Sequence, residues 1–445
     1  MLEICTIGGF SESGKNSTAV KVDDEVVILD MGLHMENYIR YTEDEDISSM
    51  TYEELLQVNA VPNYNFIEDW KAKVIAIIPG HGHLDHLGAV PFAAQLFPKA
   101  PIICTPYTAE VLKSTLGDEK IRFPNGIIAV NLNSTYKLSA KIQVELVYMT
   151  HSIPQTAMIV LHTPYGKVVY TNDYKFDLQP TLGQKPNFDR LYQLGKEDVS
   201  VLIVESLYAH EHRKTPSEMV AKQMLKDVML GVHTDGKAMV VTTFSSHLAR
   251  LKSIVELGQK LNREIVFLGR SLSRYVMAGE RIDLINFKEQ IDLVRHRDQV
   301  EKTLRKVMKE GKDKFIIVCT GHQGEPKAIL SRMAKDMTPF RFEKEDVVIF
   351  SCSVIPCELN KENRGNLEKT LKAKGVRIFR DIHISGHAAR EDHRDLINML
   401  KPKNIIPSHG GPIMANELAS LAEEMGYVRN KNVHVMEDGK KMVIK

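Results

Sequence analysis

Three histidines and one aspartate occur within six residues of this chain. They are His81, His83, Asp85 and His86 in the pattern H-x-H-x-D-H, directly after the apolar run 74–78. The apolar run predicts a buried strand, and the proline and glycines that follow it predict a tight turn. Imidazole and carboxylate groups presented together are typical ligands of zinc or a similar divalent ion. The spacing predicts that His81 and His83 share one ion and that the Asp-His pair serves a second, whereas a solvated histidine-rich turn is the weaker interpretation.

The charges are distributed unevenly along the 445 residues. The formal net charge is +1, but residues 1–207 sum to −10, residues 208–380 to +11 and residues 381–445 to 0. A basic segment inside a nearly neutral protein favours a polyanionic partner that contacts this segment. Charge scattered over solvated helices is the alternative.

The cysteines and the apolar runs bear on the compartment. The five cysteines are scattered, with no C-x-x-C pair, so the sequence predicts neither a disulfide framework nor a zinc knuckle. No stretch approaches the roughly 18 apolar residues of a membrane span, and the N-terminus starts with a strand-like run rather than a signal peptide. We expect a cytoplasmic protein that does not contact membranes.

The first 207 residues have the alternation of antiparallel strands. Strands are predicted at 18–22, 25–29, 142–149, 156–161 and 168–171, the first two joined in a hairpin by Asp23-Asp24. His151 and Asp173 then lie just beyond strand ends. A helix is predicted from Leu87 to Phe97 and a short helix at 52–56, and the acidic run at 42–46 is predicted to be part of a surface insertion over 36–70.

The pattern changes near residue 208 to apolar strands alternating with amphipathic helices, which predicts a parallel sheet. The strands are predicted at 238–241, 265–268, 315–319 and 347–350. The sequence Thr215-Pro216-Ser217-Glu218 predicts a capping box with proline at the first helical position. No G-x-G-x-x-G or Walker A sequence is present, which argues against nucleotide binding.

Residues 381–445 return to the first pattern. A strand is predicted at 405–407 before His409, then a helix over 415–424 and a final hairpin of 433–436 with 442–444 across Asp438-Gly439. The α/β segment is therefore predicted to be an insertion into a split domain.

The motifs of the chain resemble those of the ribonuclease J family, and of its archaeal members in particular. H-x-H-x-D-H is the signature of the metallo-β-lactamase superfamily, to whose β-CASP nucleases this family belongs. The other motifs occur in the family's order and are Gly8–Asn16, Thr171–Asp177, Glu205-Ser206, Thr243–His247, Thr320–Pro326, His383–His387 and Ser408-His409. The resemblance implies an α/β protein: a metallo-β-lactamase αββα sandwich made of residues 1–207 and 381–445, with a parallel α/β β-CASP domain inserted at 208–380.

The resemblance also implies the roles of individual residues in catalysis. It implies that His81, His83 and His151 hold one metal ion, that Asp85, His86 and His409 hold another, and that Asp173 bridges the two. Zinc is expected in both sites, with manganese as the alternative, and Asp30 is expected to support the metal loop without binding metal. His387 is expected to protonate the leaving oxygen and Glu205 to orient it, with Asp85 counted as the third catalytic residue.

Several loops are expected to hold an RNA backbone, because the free N–H groups at helix N-termini bind phosphate well. The expected contacts are Ser246, His247, Arg250, Thr320, Gly324, His383, Ser385 and His387, with Lys327 as added charge. Ordinary N-capping by serine or threonine is the alternative and does not exclude phosphate binding.

The function implied by the resemblance is hydrolysis of single-stranded RNA by two metal ions. The expected direction is 5′→3′ exonucleolytic, with a preference for 5′-monophosphate ends, and kinship suggests a homodimer. An endoribonuclease of the 3′-end-processing type and a DNA-repair nuclease of the same superfamily are the alternatives. DNA-repair relatives typically lack a histidine at the position of His409, which favours RNA. A small-substrate hydrolase would not need the basic insertion, and a scaffold paralogue would have lost metal ligands.

Overall fold

The computed structural model describes residues 1–42, 50–118, 121 and 123–444. The chain forms two compact units. The first unit consists of Met1–Leu178, Gln184–Thr215 and Gly386–Lys445, and the second of Gln179–Gly183 and Pro216–Ser385. The second unit is thus an insertion that begins and ends a few residues later than the 208–380 predicted from the sequence. Residues 43–46 of the predicted acidic run lie outside the described residues.

The first sheet of the first unit is mixed and carries the strand before the H-x-H-x-D-H turn. Its strands are β1 (Leu2–Gly8), β2 (Ser17–Val22), β3 (Glu25–Leu29), β4 (Val74–Ile78), β5 (Ile102–Cys104), β6 (Ile127–Ala129) and β19 (Lys441–Ile444). Their order is β19-β1-β2-β3-β4-β5-β6. Pairing is antiparallel from β19 to β3 and parallel from β3 to β6. The predicted hairpin of β2 and β3 is confirmed.

The second sheet is also mixed and joins both ends of the chain. Its strands are β7 (Ser134–Lys137), β8 (Gln143–Met149), β9 (Thr156–Thr163), β10 (Gly166–Tyr170), β11 (Val199–Glu205) and β18 (Asn404–Ser408). The order is β18-β11-β10-β9-β8-β7. Strands β7 to β10 pair antiparallel, and β10, β11 and β18 run parallel. The C-terminal segment therefore supplies a strand that the first 207 residues lack.

The two sheets pack face to face around one apolar core. Ile4, Leu29 and Ile78 of the first sheet meet Val144 and Ile159 of the second, and all five are fully buried. A second core forms where the other face of the second sheet meets helices α6 (Phe188–Leu194), α13 (Arg390–Leu400) and α14 (Pro412–Glu424). The remaining helices of this unit are α1 (Met35–Thr42), α2 (Tyr52–Gln57), α3 (Leu84–Leu87), α4 (Val90–Ala93) and α5 (Pro106–Asp118), with 3₁₀ turns at Tyr64–Lys73 and Ala94–Leu96. The predicted αββα sandwich is confirmed.

The second unit has one sheet in which every strand runs parallel. Its strands are β12 (Met239–Thr242), β13 (Glu264–Leu268), β14 (Asp292–Val294), β15 (Phe315–Cys319), β16 (Val347–Phe350) and β17 (Arg377–Phe379), in the order β14-β13-β15-β12-β16-β17. The helices are α7 (Glu218–Gly231), α8 (Leu248–Lys260), α9 (Arg270–Arg281), α10 (Arg297–Glu310), α11 (Ile329–Ala334) and α12 (Glu358–Ala373), with a 3₁₀ turn at Lys312–Lys314. The four predicted strands are confirmed. The short edge strands β14 and β17 were not predicted.

The predicted capping box at the start of α7 is wrong. Ser217, not Thr215, is the N-cap, and its side chain accepts a hydrogen bond from the Met219 N–H. The Thr215 hydroxyl instead donates to the carbonyl of His387, and the Glu218 carboxylate pairs with Arg250. Both side chains of the sequence motif are thus engaged by distant residues, which the local pattern does not reveal.

Two further predictions of local structure need correction. The helix predicted from Leu87 to Phe97 is instead α4 followed by a 3₁₀ turn, with Pro91 in the first turn of α4. The C-terminal hairpin is wrong, because β19 pairs with β1 whereas Val433 bridges to Ile405. Across the described part of the chain, no helix is both long and apolar enough to cross a membrane.

The packing of α6 against α13 gives a test of the split first unit. Gly195 ends α6, and a Cβ added there would lie 1.8 Å from the carbonyl oxygen of Met399. Gly195→Ala should therefore force two backbone segments apart and lower the stability of this unit by roughly 1–3 kcal/mol. Gly231→Ala is the matched control, since an added Cβ there meets no atom within 4 Å. Thermal unfolding followed by circular dichroism should show a lower midpoint for the first variant only, and equal midpoints would contradict the packing.

Candidate metal centre

The candidate ligands all follow the carboxyl ends of strands in the first unit. Strand β4 leads into His81 and His83, and α3 carries Asp85 and His86. Gly80 lies in the turn between β4 and His81. A Cβ added there would come within 2.0 Å of the Asn172 amide, so this turn needs glycine. The other ligands follow strands of the second sheet, His151 after β8, Asp173 after β10 and His409 after β18. Two sheets therefore deliver ligands to one place.

The first set of ligands consists of His81, His83, His151 and Asp173, whose ligand atoms all lie within 4.8 Å of one another. The Nδ1 atom of His83 is 2.9 Å from Nε2 of His81 and 3.1 Å from Nε2 of His151. Asp173 Oδ2 lies 3.7 Å from Nε2 of His81 and 3.4 Å from Nε2 of His151. Three ring nitrogens and one carboxylate oxygen thus surround a common point.

The hydrogen-bond partners of Nδ1 in His81 and His151 determine whether Nε2 of each ring carries a proton or a lone pair. His81 Nδ1 is 3.0 Å from the Asn172 side-chain oxygen, and His151 Nδ1 is 2.7 Å from the carbonyl oxygen of Gly386. Both oxygens can only accept, so each Nδ1 carries the proton and each Nε2 presents a lone pair. Burial lowers the pKa of His81 and of His151 well below the ordinary value and that of His83 to about 4. Neutral rings whose lone pairs converge fit a cation.

The second set consists of Asp85, His86, Asp173 and His409, again with ligand atoms within 4.8 Å of one another. His86 Nε2 is 3.2 Å from Asp173 Oδ1 and 3.6 Å from Asp85 Oδ2. His409 Nε2 is 3.6 Å from Asp173 Oδ1 and 3.7 Å from Asp85 Oδ2. Burial alone would lower the pKa of His86, but Asp173, Asp85 and Asp30 outweigh it and raise this pKa well above the ordinary value. The second set is therefore an anionic pocket that favours positive charge.

Buried acceptors also hold the rings of the second set. Asp30 Oδ2 is 2.7 Å from His86 Nδ1 and accepts a hydrogen bond of 2.6 Å from the Tyr170 hydroxyl. Its other oxygen accepts the N–H of Gly80 at 2.7 Å. Asp30 thus supports the metal loop without joining a ligand set, as the resemblance implied. Such partners fix the tautomer and the orientation of metal-binding histidines.

Asn16 contacts three members of the second set. Its side-chain oxygen is 2.9 Å from His409 Nδ1, and its amide nitrogen donates to the backbone oxygen of Asp85 at 3.0 Å. The same nitrogen lies 3.1 Å from His86 Nε2. Asn16 and Asn172 both stand inside motifs quoted from the sequence, next to Lys15 and Asp173, yet the sequence analysis gave neither a role. The only sequence signal was an amide beside a ligand or in a glycine-rich turn.

Asp173 belongs to both sets, with Oδ2 facing the first and Oδ1 facing the second. Its side chain is 2% exposed, and no hydrogen bond from the described residues satisfies Oδ1. His86 Nε2 lies 3.2 Å from Oδ1 without such a bond, and a carboxylate buried in this way is costly unless a charge or a metal ion compensates it. Seven residues in two sets with a shared carboxylate therefore fit divalent metal. Nitrogen and oxygen donors of this kind suit zinc and also accept manganese.

His387 and Glu205 form a pair beside Asp173. His387 Nδ1 is 2.7 Å from Glu205 Oε2 and 3.9 Å from Asp173 Oδ2. The other oxygen of Glu205 accepts the N–H of Tyr174 at 2.9 Å, which fixes the carboxylate. Burial alone would lower the pKa of His387, but Glu205 and Asp173 outweigh it and raise this pKa to about 9 in the metal-free chain. The two carboxylates thus favour the protonated form of the ring.

The residues expected to contact RNA fall into both units. His387 is in the first unit, and the second unit contains the other seven, namely Ser246, His247, Arg250, Thr320, Gly324, His383 and Ser385. Arg250 is fully buried, with its guanidinium bonded to Glu218, Ser351 and the Ile382 carbonyl, so its predicted contact with phosphate is wrong.

The other expected RNA contacts lie in loops after strand ends, where they offer polar side-chain atoms or backbone groups. Thr320 follows β15, and Gly324, at a φ of +81°, lies so close to the backbone of Asn363 that an added Cβ would approach it within 2.4 Å. Phe244 forms a ring contact with His383 at a centroid distance of 6.0 Å. The loops after β12 and β15 thus each pack against another segment of the second unit, and their contact with RNA stays a prediction.

Three family models match successive parts of the chain. The model described as "Metallo-beta-lactamase superfamily" matches residues 12–200, and that described as "Ribonuclease J, beta-CASP domain" matches residues 236–366. The model described as "Zn-dependent metallo-hydrolase RNA specificity domain" matches residues 376–436. These matches correspond to the first part of the sandwich, the inserted sheet and the returning C-terminal segment.

Whole proteins are similar over nearly the full length. The chain is 44% identical to "Ribonuclease J" of Methanocaldococcus jannaschii, with 98% of both chains covered. It is 42% identical to "Ribonuclease J" of Pyrococcus abyssi, covering 99% of this chain and 96% of that one. "Ribonuclease J 1" of Streptococcus pyogenes is 30% identical, with 98% and 73% covered. A crystal structure of a protein of unknown function from Enterococcus faecalis has the same fold, with a TM-score of 0.66, 16% identity and 99% of each chain covered.

The contacts of Asn16 predict an unequal loss of metal affinity. Asn16→Ala removes the acceptor that orients His409, so the affinity of the second set should fall by about 10–100-fold while the first set keeps its ion. Asn172→Ala is the reciprocal variant, because Asn172 orients His81, and it should weaken the first set instead. Calorimetric titration of metal-free protein with zinc measures both affinities. Unchanged binding at both sites in both variants would contradict these positioning roles.

Proposed function

Because the chain belongs to the ribonuclease J family, we propose that this metal-dependent ribonuclease degrades single-stranded RNA mainly in the 5′→3′ direction, with two zinc ions in its active site. The observation that supports this proposal best is the buried carboxylate of Asp173, shared by two complete ligand sets. Manganese fits the same donors and is the alternative metal.

The two ligand sets are proposed to bind two ions that act together, and they share only Asp173. We assign His81, His83 and His151 to one ion, Asp85, His86 and His409 to the other, and Asp173 to both. When bound, such a pair of ions lowers the pKa of a water molecule and neutralises charge on a phosphodiester. Asp85 is the more exposed of the two carboxylate ligands, with 26% of its side chain accessible against 2% for Asp173. We therefore place Asp85 on the side that meets substrate and count it among the catalytic residues.

His387 is the proposed proton donor. As the phosphorus–oxygen bond to the leaving nucleoside breaks, its 3′ oxygen needs a proton, and the protonated ring supplies it. Glu205 accepts from Nδ1 and so orients the ring and stabilises its charge. Glu205 and Asp173 raise the pKa of His387, which favours the protonated ring that this role needs.

RNA is favoured over DNA as the substrate by two observations. His409 completes the second ligand set, in the position where DNA-repair relatives typically lack histidine. The match to an RNA specificity domain covers both His387 and His409. Endonucleolytic cleavage of the 3′-end-processing type remains the alternative mode of action.

The remaining proposals concern location and assembly. The five cysteines are free thiols and four of them are buried, which supports the reducing environment of the cytoplasm. A homodimer is proposed on kinship alone. We propose Ser246 and His247 as the residues that bind a 5′-terminal phosphate, although His247 also caps α8 by accepting the Arg250 N–H.

The role of His387 predicts a loss of turnover without a loss of metal. His387→Ala should lower kcat by roughly 10²–10⁴-fold while the metal content stays at the wild-type level. Glu205→Gln should give a weaker form of the same defect. His162→Ala is the matched control, since His162 makes a 2.7 Å contact with Glu145 similar to that between His387 and Glu205, and it belongs to neither ligand set. Steady-state cleavage of RNA and elemental analysis are the measurements, and loss of metal from His387→Ala would refute the assignment.

The direction of degradation predicts a dependence on the 5′ end. We expect an RNA with a 5′-monophosphate and a 3′ fluorophore to release nucleoside monophosphates from the start, and the same strand with a 5′-hydroxyl to react more slowly. A DNA strand of the same sequence and a reaction with chelator should both stay intact. Mass spectrometry of the small products and gel electrophoresis of the labelled strand give the readout. Internal fragments that form equally from both RNAs would replace the exonuclease with an endonuclease.

A further inference from the structure

Arg250 and Glu218 form a buried ion pair inside the second unit. The Arg250 side chain is fully buried and that of Glu218 is 4% exposed. Arg250 Nε donates to Oε1 of Glu218 at 2.5 Å, and Nη2 donates to Oε2 at 2.9 Å. The two planar groups therefore meet through two parallel hydrogen bonds, a geometry that lysine cannot reproduce.

The remaining donor of the guanidinium joins two other segments. Nη1 donates to the carbonyl oxygen of Ser351 at 2.9 Å, to its hydroxyl at 2.9 Å and to the carbonyl oxygen of Ile382 at 3.1 Å. The Ser351 hydroxyl donates in turn to the same Ile382 oxygen at 2.8 Å. Ser351 directly follows β16, and Ile382 directly precedes His383, so one side chain fixes both backbones.

The loop after β12 is tied to the same pair. The Thr243 hydroxyl donates to the Ser351 carbonyl oxygen at 2.8 Å. His247 Nδ1 accepts the N–H of Arg250, and its Nε2 lies 3.4 Å from Glu218 Oε2. Residues 243–247 are thus held at both ends by contacts that involve Arg250, Glu218 or their direct partner.

These contacts connect two of the loops that are expected to hold the RNA backbone, namely residues 243–247 and 383–385. A buried ion pair is a weak device for stability, because burying the two charges cancels much of their attraction. It is a good device for geometry, because each of its hydrogen bonds has a preferred length and direction. A role in positioning therefore explains the pair better than a role in stability alone.

We propose that Arg250, together with Glu218, is a positioning residue for RNA binding. It holds the two loops in the arrangement that receives the phosphates, and it touches neither RNA nor metal itself. This inference rests on the proposed function, since it assumes that these loops contact RNA. The inference predicts that a change of Arg250 raises KM for RNA and leaves kcat and metal content unaffected.

The test uses Arg250→Lys in the full-length, metal-loaded protein. Lysine keeps the positive charge but cannot form both hydrogen bonds with Glu218 and still reach Ser351. We expect KM for a 5′-monophosphorylated single-stranded RNA to rise about tenfold or more, since hydrogen bonds to phosphate weaken when the loops that donate them shift. Values of kcat, metal content and hydrolysis of bis(4-nitrophenyl) phosphate, which probes the metal centre without the RNA loops, should stay within about twofold of wild type. Glu218→Gln, the milder variant, should give a smaller rise in KM and serves if Arg250→Lys does not fold.

Arg190→Lys is the matched control. Arg190 meets Glu145 through the same pair of bonds, at 2.6 and 2.9 Å, but lies in the first unit and in none of the loops assigned to RNA. Its KM for RNA should not change. An unchanged KM in Arg250→Lys and Glu218→Gln, with only a lower unfolding temperature or a smaller active fraction, would overturn the positioning role. If instead the wild-type protein neither binds nor cleaves RNA, the proposed function fails and not this inference alone.

Discussion

The shared carboxylate of Asp173 is the constraint on which the rest of the site depends. Its two oxygens face two groups of imidazoles and carboxylates, and it is buried where water cannot compensate its charge. Three ring nitrogens converge on one side, and an anionic pocket lies on the other. Both arrangements are unfavourable without a cation and favourable around one, because direct ligation replaces the hydration that burial removes. The site is thus suited to bind divalent metal.

The sandwich explains how ligands so distant in sequence reach these points. Parallel strands end on the same edge of their sheet, and β10, β11 and β18 therefore bring Asp173, Glu205 and His409 together. Strand β18 follows the inserted unit in the sequence, so the second ligand set is complete only after the chain has returned to the first unit. Behind the ligands, acceptors on other segments orient the rings of His81, His86, His151 and His409.

The sequence predicted the parts of the site that are local, and it failed where distant residues compete for a group. The turn at His81–His86 was predictable, since strand, turn and ligand types stand side by side. The role of Asn16 was not, because its partner His409 lies almost 400 residues further along the chain. Thr215–Glu218 had the sequence of a capping box, yet the ion pair with Arg250 took the glutamate away from the helix start. Similarly, β19 pairs with β1 from the other end of the chain, and Val433 bridges to Ile405, so both halves of the predicted hairpin have distant partners.

The central claim is that two divalent ions lie on either side of the Asp173 carboxylate. Anomalous diffraction at the zinc absorption edge, from crystals of the zinc-loaded protein, tests it most directly. The account predicts two peaks, about 3.5–4 Å apart, one beside His81, His83 and His151 and the other beside Asp85, His86 and His409. A single peak at full occupancy, or two peaks of which neither lies next to Asp173, would contradict it.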